Sequence, residues 1–176
     1  MKVEVVRSAR RRKTISARQV GEVLRVSIPA TMTKAEEERW VGEMVRRMER
    51  RAASEGLDLE ARAATLARRY GLPRPDAIRW VDNQQSRWGS CTPVDRSVRI
   101  STRVAGFPAW VVDYVLVHEL AHLVVAGHNQ RFWALVDRYP LAERAKGFLI
   151  AKGLEGDEAG GESGDDAGGA GYAEGD

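Results

Sequence analysis

The chain's three histidines all fall within one eleven-residue window, at positions 118, 122 and 128. In His118-Glu119-Leu120-Ala121-His122 the two imidazoles stand four residues apart. On an α-helix that is about 40° of rotation and roughly one turn of rise, so both can reach one ion. Glu119 lies about 100° from His118, which keeps its carboxylate off the metal but beside a metal-bound water, where a general base must stand. His128 would point away if the helix continued, being about 600° past His122. The helix must therefore stop between them, and Gly127 is the expected stop because glycine tolerates the left-handed backbone of a helix end. Three imidazoles leave a fourth position for water, the pattern of a catalytic rather than a structural zinc site. A downstream carboxylate such as Glu143 could instead complete a two-histidine, one-carboxylate set. The competing reading, partly buried histidines with no ligand, must explain imidazoles in an otherwise apolar helix, where unpaired polar groups are costly. The expectation is one Zn2+ held by His118, His122 and His128, with Glu119 as base in a metal-assisted hydrolysis.

A second candidate segment is Arg87-Trp88-Gly89-Ser90-Cys91. Gly89 would permit close approach of a substrate backbone, and Arg87 or Ser90 could steady a charged intermediate. Against this, Trp88 and Cys91 also suit core positions at a strand bend. Cys91 as a fourth, inhibitory metal ligand is the less favoured alternative.

The elements that must position these groups are legible in outline. Lys2–Arg7, Thr14–Gln19 and Glu22–Ile28 carry β-branched or alternating apolar residues, with Val20-Gly21 as a tight turn, and predict a small antiparallel sheet. Thr33 and Glu36 have capping-box spacing and open a helix to about Arg51, with Trp40, Met44, Val45 and Met48 on its apolar face. A second helix, Leu57 to Tyr70, turns Leu59, Ala63, Leu66, Ala67 and Tyr70 inward and ends at Gly71. Ala77–Val81 and Ser97–Arg103 predict strands, read as a hairpin, around a loop at 87–93. Pro108 introduces a buried helix that runs through the histidine motif to Gly127. Asn129 caps a short helix, Gln130 to Arg138, and Leu141–Leu154 adds a last one. The class is α+β, with one domain over 1–154.

The formal charge of +3 conceals an asymmetry: residues 155–176 hold eight acids and no Lys or Arg, so the rest balances 28 basic against 17 acidic residues, +11. The tail also holds eight glycines and a single aromatic, Tyr172, and is expected to be disordered. A basic body could attract nucleic acid without sequence preference. This motivates an alternative function, a nucleic-acid-associated zinc-binding module with little or no hydrolytic activity. No apolar run approaches a membrane span, no secretory signal is visible, and one cysteine cannot form an internal disulfide. A cytoplasmic protein with no membrane partner is expected, its oligomeric state open.

In combination, Arg87-Trp88-Gly89-Ser90-Cys91, Asp113-Tyr114-Val115, His118 to Leu123, His128 and Phe132-Trp133 resemble the YgjP-like metallopeptidases, which are similar to the SprT-like and WLM zincins. The resemblance covers most of Arg10 to about Leu149. It implies a compact α+β zincin fold with a HExxH active-site helix, zinc on His118, His122 and His128, Glu119 as catalytic base, and hydrolysis of a protein or peptide substrate. Asn129 stands where relatives often carry Ser, and the acidic tail lies outside the resemblance.

Overall fold

The computed structural model describes residues 2–84 and 86–158. Its mixed α+β architecture comprises two three-stranded sheets and five helices. The N-terminal sheet is built from β1 (Lys2–Ser8), β2 (Ser16–Val20) and β3 (Val23–Pro29) in the order β1-β3-β2. Val20 and Val23 close a two-residue loop, and Gly21 takes the positive φ, 60°, that a type II′ hairpin needs at its first position. Sequence pattern suggested a wholly antiparallel sheet, but β1 runs parallel to β3 and only β2 is antiparallel to it. The physical reason is that Leu24, Val26 and Ile28 of β3 are completely buried. That strand takes the central place, and the link 9–15 is long enough to carry the chain from one edge to the other.

Helix α1 (Lys34–Glu55) covers this sheet. Both halves of its capping box form: Thr33 Oγ1 accepts from the Glu36 amide, and Glu36 Oε2 accepts from the Thr33 amide at 2.8 Å. Val41, Met44, Val45 and Met48 face β3, whereas Trp40 is 39% exposed beneath the Arg39 guanidinium. Trp40 sits about 90° round the helix from the centre of that apolar stripe, so it falls outside the buried face.

Helix α2 (Leu59–Tyr70) is capped by Asp58 and ends at Gly71 with φ 64°. Leu59, Ala63, Leu66 and Ala67 are buried as expected. The second sheet contains β4 (Ala77–Val81), β5 (Gly89–Thr92) and β6 (Ser97–Ser101) in the order β4-β6-β5. β4 and β6 are parallel neighbours rather than a hairpin; the hairpin partner of β6 is β5, within the segment that reads as a loop. Gly-Ser-Cys-Thr has little intrinsic strand preference and is extended because it pairs with β6 and packs on a helix.

That helix is α3 (Ala109–His122), followed by α4 (Gln130–Val136) and α5 (Ala142–Glu158). α3 is apolar around most of its circumference, so it is the central core element, with neighbours in α2, β5, β6, α4 and α5. Arg62 of α2 donates to both carboxylate oxygens of Asp113 at 2.6 and 2.7 Å, locking α2 to α3 in a bidentate pair. Tyr139 donates to the Trp110 carbonyl at 2.8 Å and ties the end of α4 to the start of α3. Among the described residues no helix is long and apolar enough to cross a membrane. Beyond Glu158 the acidic tail lies outside the described residues.

Candidate metal centre

α3 carries His118, Glu119 and His122 in its last two turns, and the chain then reverses to present His128. The reversal does not come from Gly127. α3 ends at His122, five residues sooner than expected, and Gly127 does not enter the left-handed region. The last turn tightens instead: the amides of Leu123, Val124 and Val125 bond back to the carbonyls of Leu120, Ala121 and Ala121 at 3.1, 3.0 and 3.0 Å. Burial of Val125 draws the chain inward, and its carbonyl accepts from His122 Nδ1 at 3.1 Å. Asn129 then starts α4, its Oδ1 accepting from the Phe132 amide at 3.0 Å.

The three imidazoles converge. His128 Nε2 lies 3.1 Å from His122 Nε2 and 3.2 Å from His118 Nε2. Among the described residues these histidines form the group able to hold a metal ion, with ligand atoms all within 4.8 Å of one another. Because the Val125 carbonyl must accept, His122 Nδ1 carries the proton and its Nε2 turns a lone pair to the cluster. Burial, first, and the two neighbouring imidazoles hold His118 down to about 3, and burial likewise lowers His122. Neutral imidazoles are the form that donates to metals. In the tautomer that turns all three Nε2 lone pairs inward, such a close approach is favourable only with a cation among them. Tetrahedral nitrogen donors ~2.0–2.1 Å from one ion would stand about 3.3 Å apart. The donor set therefore fits a divalent cation.

Glu119 is 6% exposed, and burial pushes its carboxyl up to about 8, opposed by the Arg87 guanidinium. It faces β5. A Cβ placed on Gly89 would stand 2.6 Å from Glu119 Oε1, 2.8 Å from Cγ and 2.9 Å from Cδ. Glycine at 89 is thus what lets β5 lie directly against the carboxylate. Of the other segment residues, Arg87 is exposed yet acts electrostatically on Glu119. The Ser90 hydroxyl accepts from Gln84 Nε2 at 2.6 Å. Cys91 is outside the metal-competent group, packs against the core, and is raised to about 11 by burial and by Glu119. Glu143 is likewise outside that group and accepts from Lys146 Nζ at 2.6 Å.

Sequence reasoning names Phe132-Trp133 only within the family resemblance and misses that the pair forms an aromatic wall against the histidines. Phe132, fully buried, stacks on His122 at 4.4 Å with 29° between planes, and Trp133 stacks on His128 at 5.6 Å and 23°. The adjacent Phe-Trp after a capping Asn was a usable signal, because successive helical residues flank two different neighbours.

Among curated protein sequences, none matches the chain. A solved structure, the metallopeptidase zymogen abylysin of Pyrococcus abyssi, is similar over 56% of this chain and 96% of its own length, at 24% identity and a TM-score of 0.48. The family model described as YgjP-like, metallopeptidase domain, matches residues 6–149. That span includes the last three residues of β1, the whole of β2 to β6, α1 to α4, the three histidines and Glu119, and the chain belongs to the YgjP-like metallopeptidase family.

Proposed function

We propose that this protein is a zinc-dependent peptidase in which His118, His122 and His128 hold the ion and Glu119 is the general base. The observation that carries the reading is the convergence of three Nε2 atoms, two of the contacts being 3.1 and 3.2 Å, with a buried carboxylate on the residue that follows His118 in α3. Imidazole donors suit zinc among the biologically available metals, and three of them leave a position for reaction. A cation held there supplies Lewis-acid polarisation of a scissile carbonyl and acidifies an adjacent water molecule.

The remaining work falls to the chain itself. A Glu119 carboxylate oxygen takes a proton from the attacking water and returns it to the departing nitrogen. Its burial excludes bulk solvent from that exchange. Among the described residues β5 is an edge strand, paired with β6 alone. An extended peptide adding to its open edge would run past Glu119, with main-chain hydrogen bonds fixing its register. Arg87, at the approach to β5, is suited to a carbonyl or carboxylate of the substrate.

The test compares metal-replete parent and Glu119→Gln on an unbiased peptide mixture, reading products by mass spectrometry, with and without DNA. Cleavage by the parent, abolished in Glu119→Gln at unchanged zinc content, is the expected result. Equal cleavage by both would refute the base assignment. No cleavage by the parent under any condition, with salt-dependent DNA binding, would favour the nucleic-acid-associated module that the +11 body suggests.

A further inference from the structure

We infer that Trp133 is the positioning residue for the third metal ligand: its indole stacks on His128 while its Nε1 donates to the His128 carbonyl, holding an otherwise loosely supported ring on the cation. The inference rests on the ligand set proposed above. His118 and His122 are fixed by α3, and His122 gains the Val125 carbonyl and the stacked Phe132 ring. His128 lacks both the helix and the carbonyl bond, and Phe132 meets it only edge-on at 4.7 Å. It is exposed, lies between α3 and α4, and among the described residues its Nδ1 meets no hydrogen-bond partner.

Trp133 compensates in two ways. The ring planes are 23° apart with centroids at 5.6 Å, which restricts rotation of the imidazole about its side-chain bonds. The 3.1 Å bond from Nε1 to the His128 carbonyl fixes the backbone that carries the ring. Trp133 is anchored in turn: its own amide bonds to the Asn129 carbonyl at 3.1 Å. Lys146 Nζ lies 4.5 Å from the indole centroid, itself held by Glu143 at 2.6 Å and Asp137 at 3.8 Å. α5 thereby braces the indole, and through it the ligand. Groups that orient metal ligands typically change affinity by roughly 10–100-fold when removed.

The experiment measures zinc affinity by chelator competition and the visible spectrum of the Co2+-substituted full chain, for the parent, Trp133→Leu, Trp133→Phe, His128→Ala and the His128→Ala/Trp133→Leu double variant. Trp133→Leu should weaken zinc roughly 10–100-fold and reduce the intensity of the Co2+ bands. Trp133→Phe, which keeps a stacking ring but not the N–H, should recover part of both. In the His128→Ala background Trp133→Leu should add nothing. Parent affinity and spectrum in Trp133→Leu, while His128→Ala has lost affinity, would overturn the inference. So would an equal loss from Trp133→Leu with and without His128, since that marks an effect that does not pass through His128, on the fold or on the His118 ring 6.1 Å from the indole. Parent affinity in His128→Ala would instead remove His128 from the ligand set, and the role of Trp133 with it.

Discussion

Replacing Gly89 by alanine puts a methyl carbon against the carboxylate of Glu119 and forces it to move. The added Cβ would stand 2.6 Å from Glu119 Oε1, 2.8 Å from Cγ and 2.9 Å from Cδ. Ordinary contact begins near 3.4 Å, so Glu119 or β5 must yield by about 0.8 Å. β5 is held by pairing with β6, and Glu119 is buried on a core helix. Most of the displacement therefore falls on the carboxylate. A misplacement of about 1 Å can cost on the order of 100-fold in rate, equivalent to about 2.7 kcal/mol of transition-state stabilisation. Overpacking by one methyl costs about 1–3 kcal/mol of stability, and the three atoms nearest the new carbon all belong to Glu119 rather than to a metal donor. Three measurements on Gly89→Ala separate these effects: kcat/KM on a cleaved peptide, zinc per chain, and urea denaturation. The expected outcome is a rate loss on the order of 100-fold with one zinc retained and a cooperative transition. Parent-like kcat/KM would show that Glu119 does not act from the position described. Loss of zinc in step with activity would show that the strain reaches the ligands instead.

The Arg62–Asp113 pair makes an asymmetric prediction. The Asp113 side chain is 13% exposed and that of Arg62 40%, so Arg62→Ala strands the more buried charge. It should cost about 2 kcal/mol or more in urea denaturation, and more than Asp113→Ala, which leaves a guanidinium that can reach water. Equal costs would contradict that account. Zinc removal should lower the melting temperature, because an ion bound only by the folded state adds about 2.7 kcal/mol at a hundredfold excess over its Kd. The parent should show this shift and His118→Ala should not; a zinc-dependent shift of equal size in both would argue against His118 as a ligand.

What could be read in the sequence was whatever local geometry dictates. His118, Glu119 and His122 owe their relation to helical rotation alone. Thr33 with Glu36, Asn129, and Gly71 are caps whose chemistry acts within a few residues, and each caps the helix expected of it. The Val20-Gly21 turn is equally local. The parts that escaped depend on tertiary context. Nothing in Gly89-Ser90-Cys91-Thr92 announces a strand, since β5 is extended by its pairing and by its contact with α3. The parallel pairings of β1 with β3 and of β4 with β6 bring together residues separated by an intervening strand, which periodicity does not record. The end of α3 was misplaced because a glycine is a strong punctuation mark, whereas the actual stop depends on the burial of Val125 and its carbonyl bond to His122. Gly89 was singled out for backbone approach of a substrate; the group that approaches it in the structure is Glu119.

X-ray absorption at the zinc edge, on protein loaded with one equivalent and checked by elemental analysis, most directly tests whether three imidazoles share one ion. The account predicts one zinc per chain with three nitrogen donors at about 2.0–2.1 Å and an oxygen donor completing the shell. A sulfur donor at about 2.3 Å, which would implicate Cys91, or a shell with fewer than three imidazoles would contradict it.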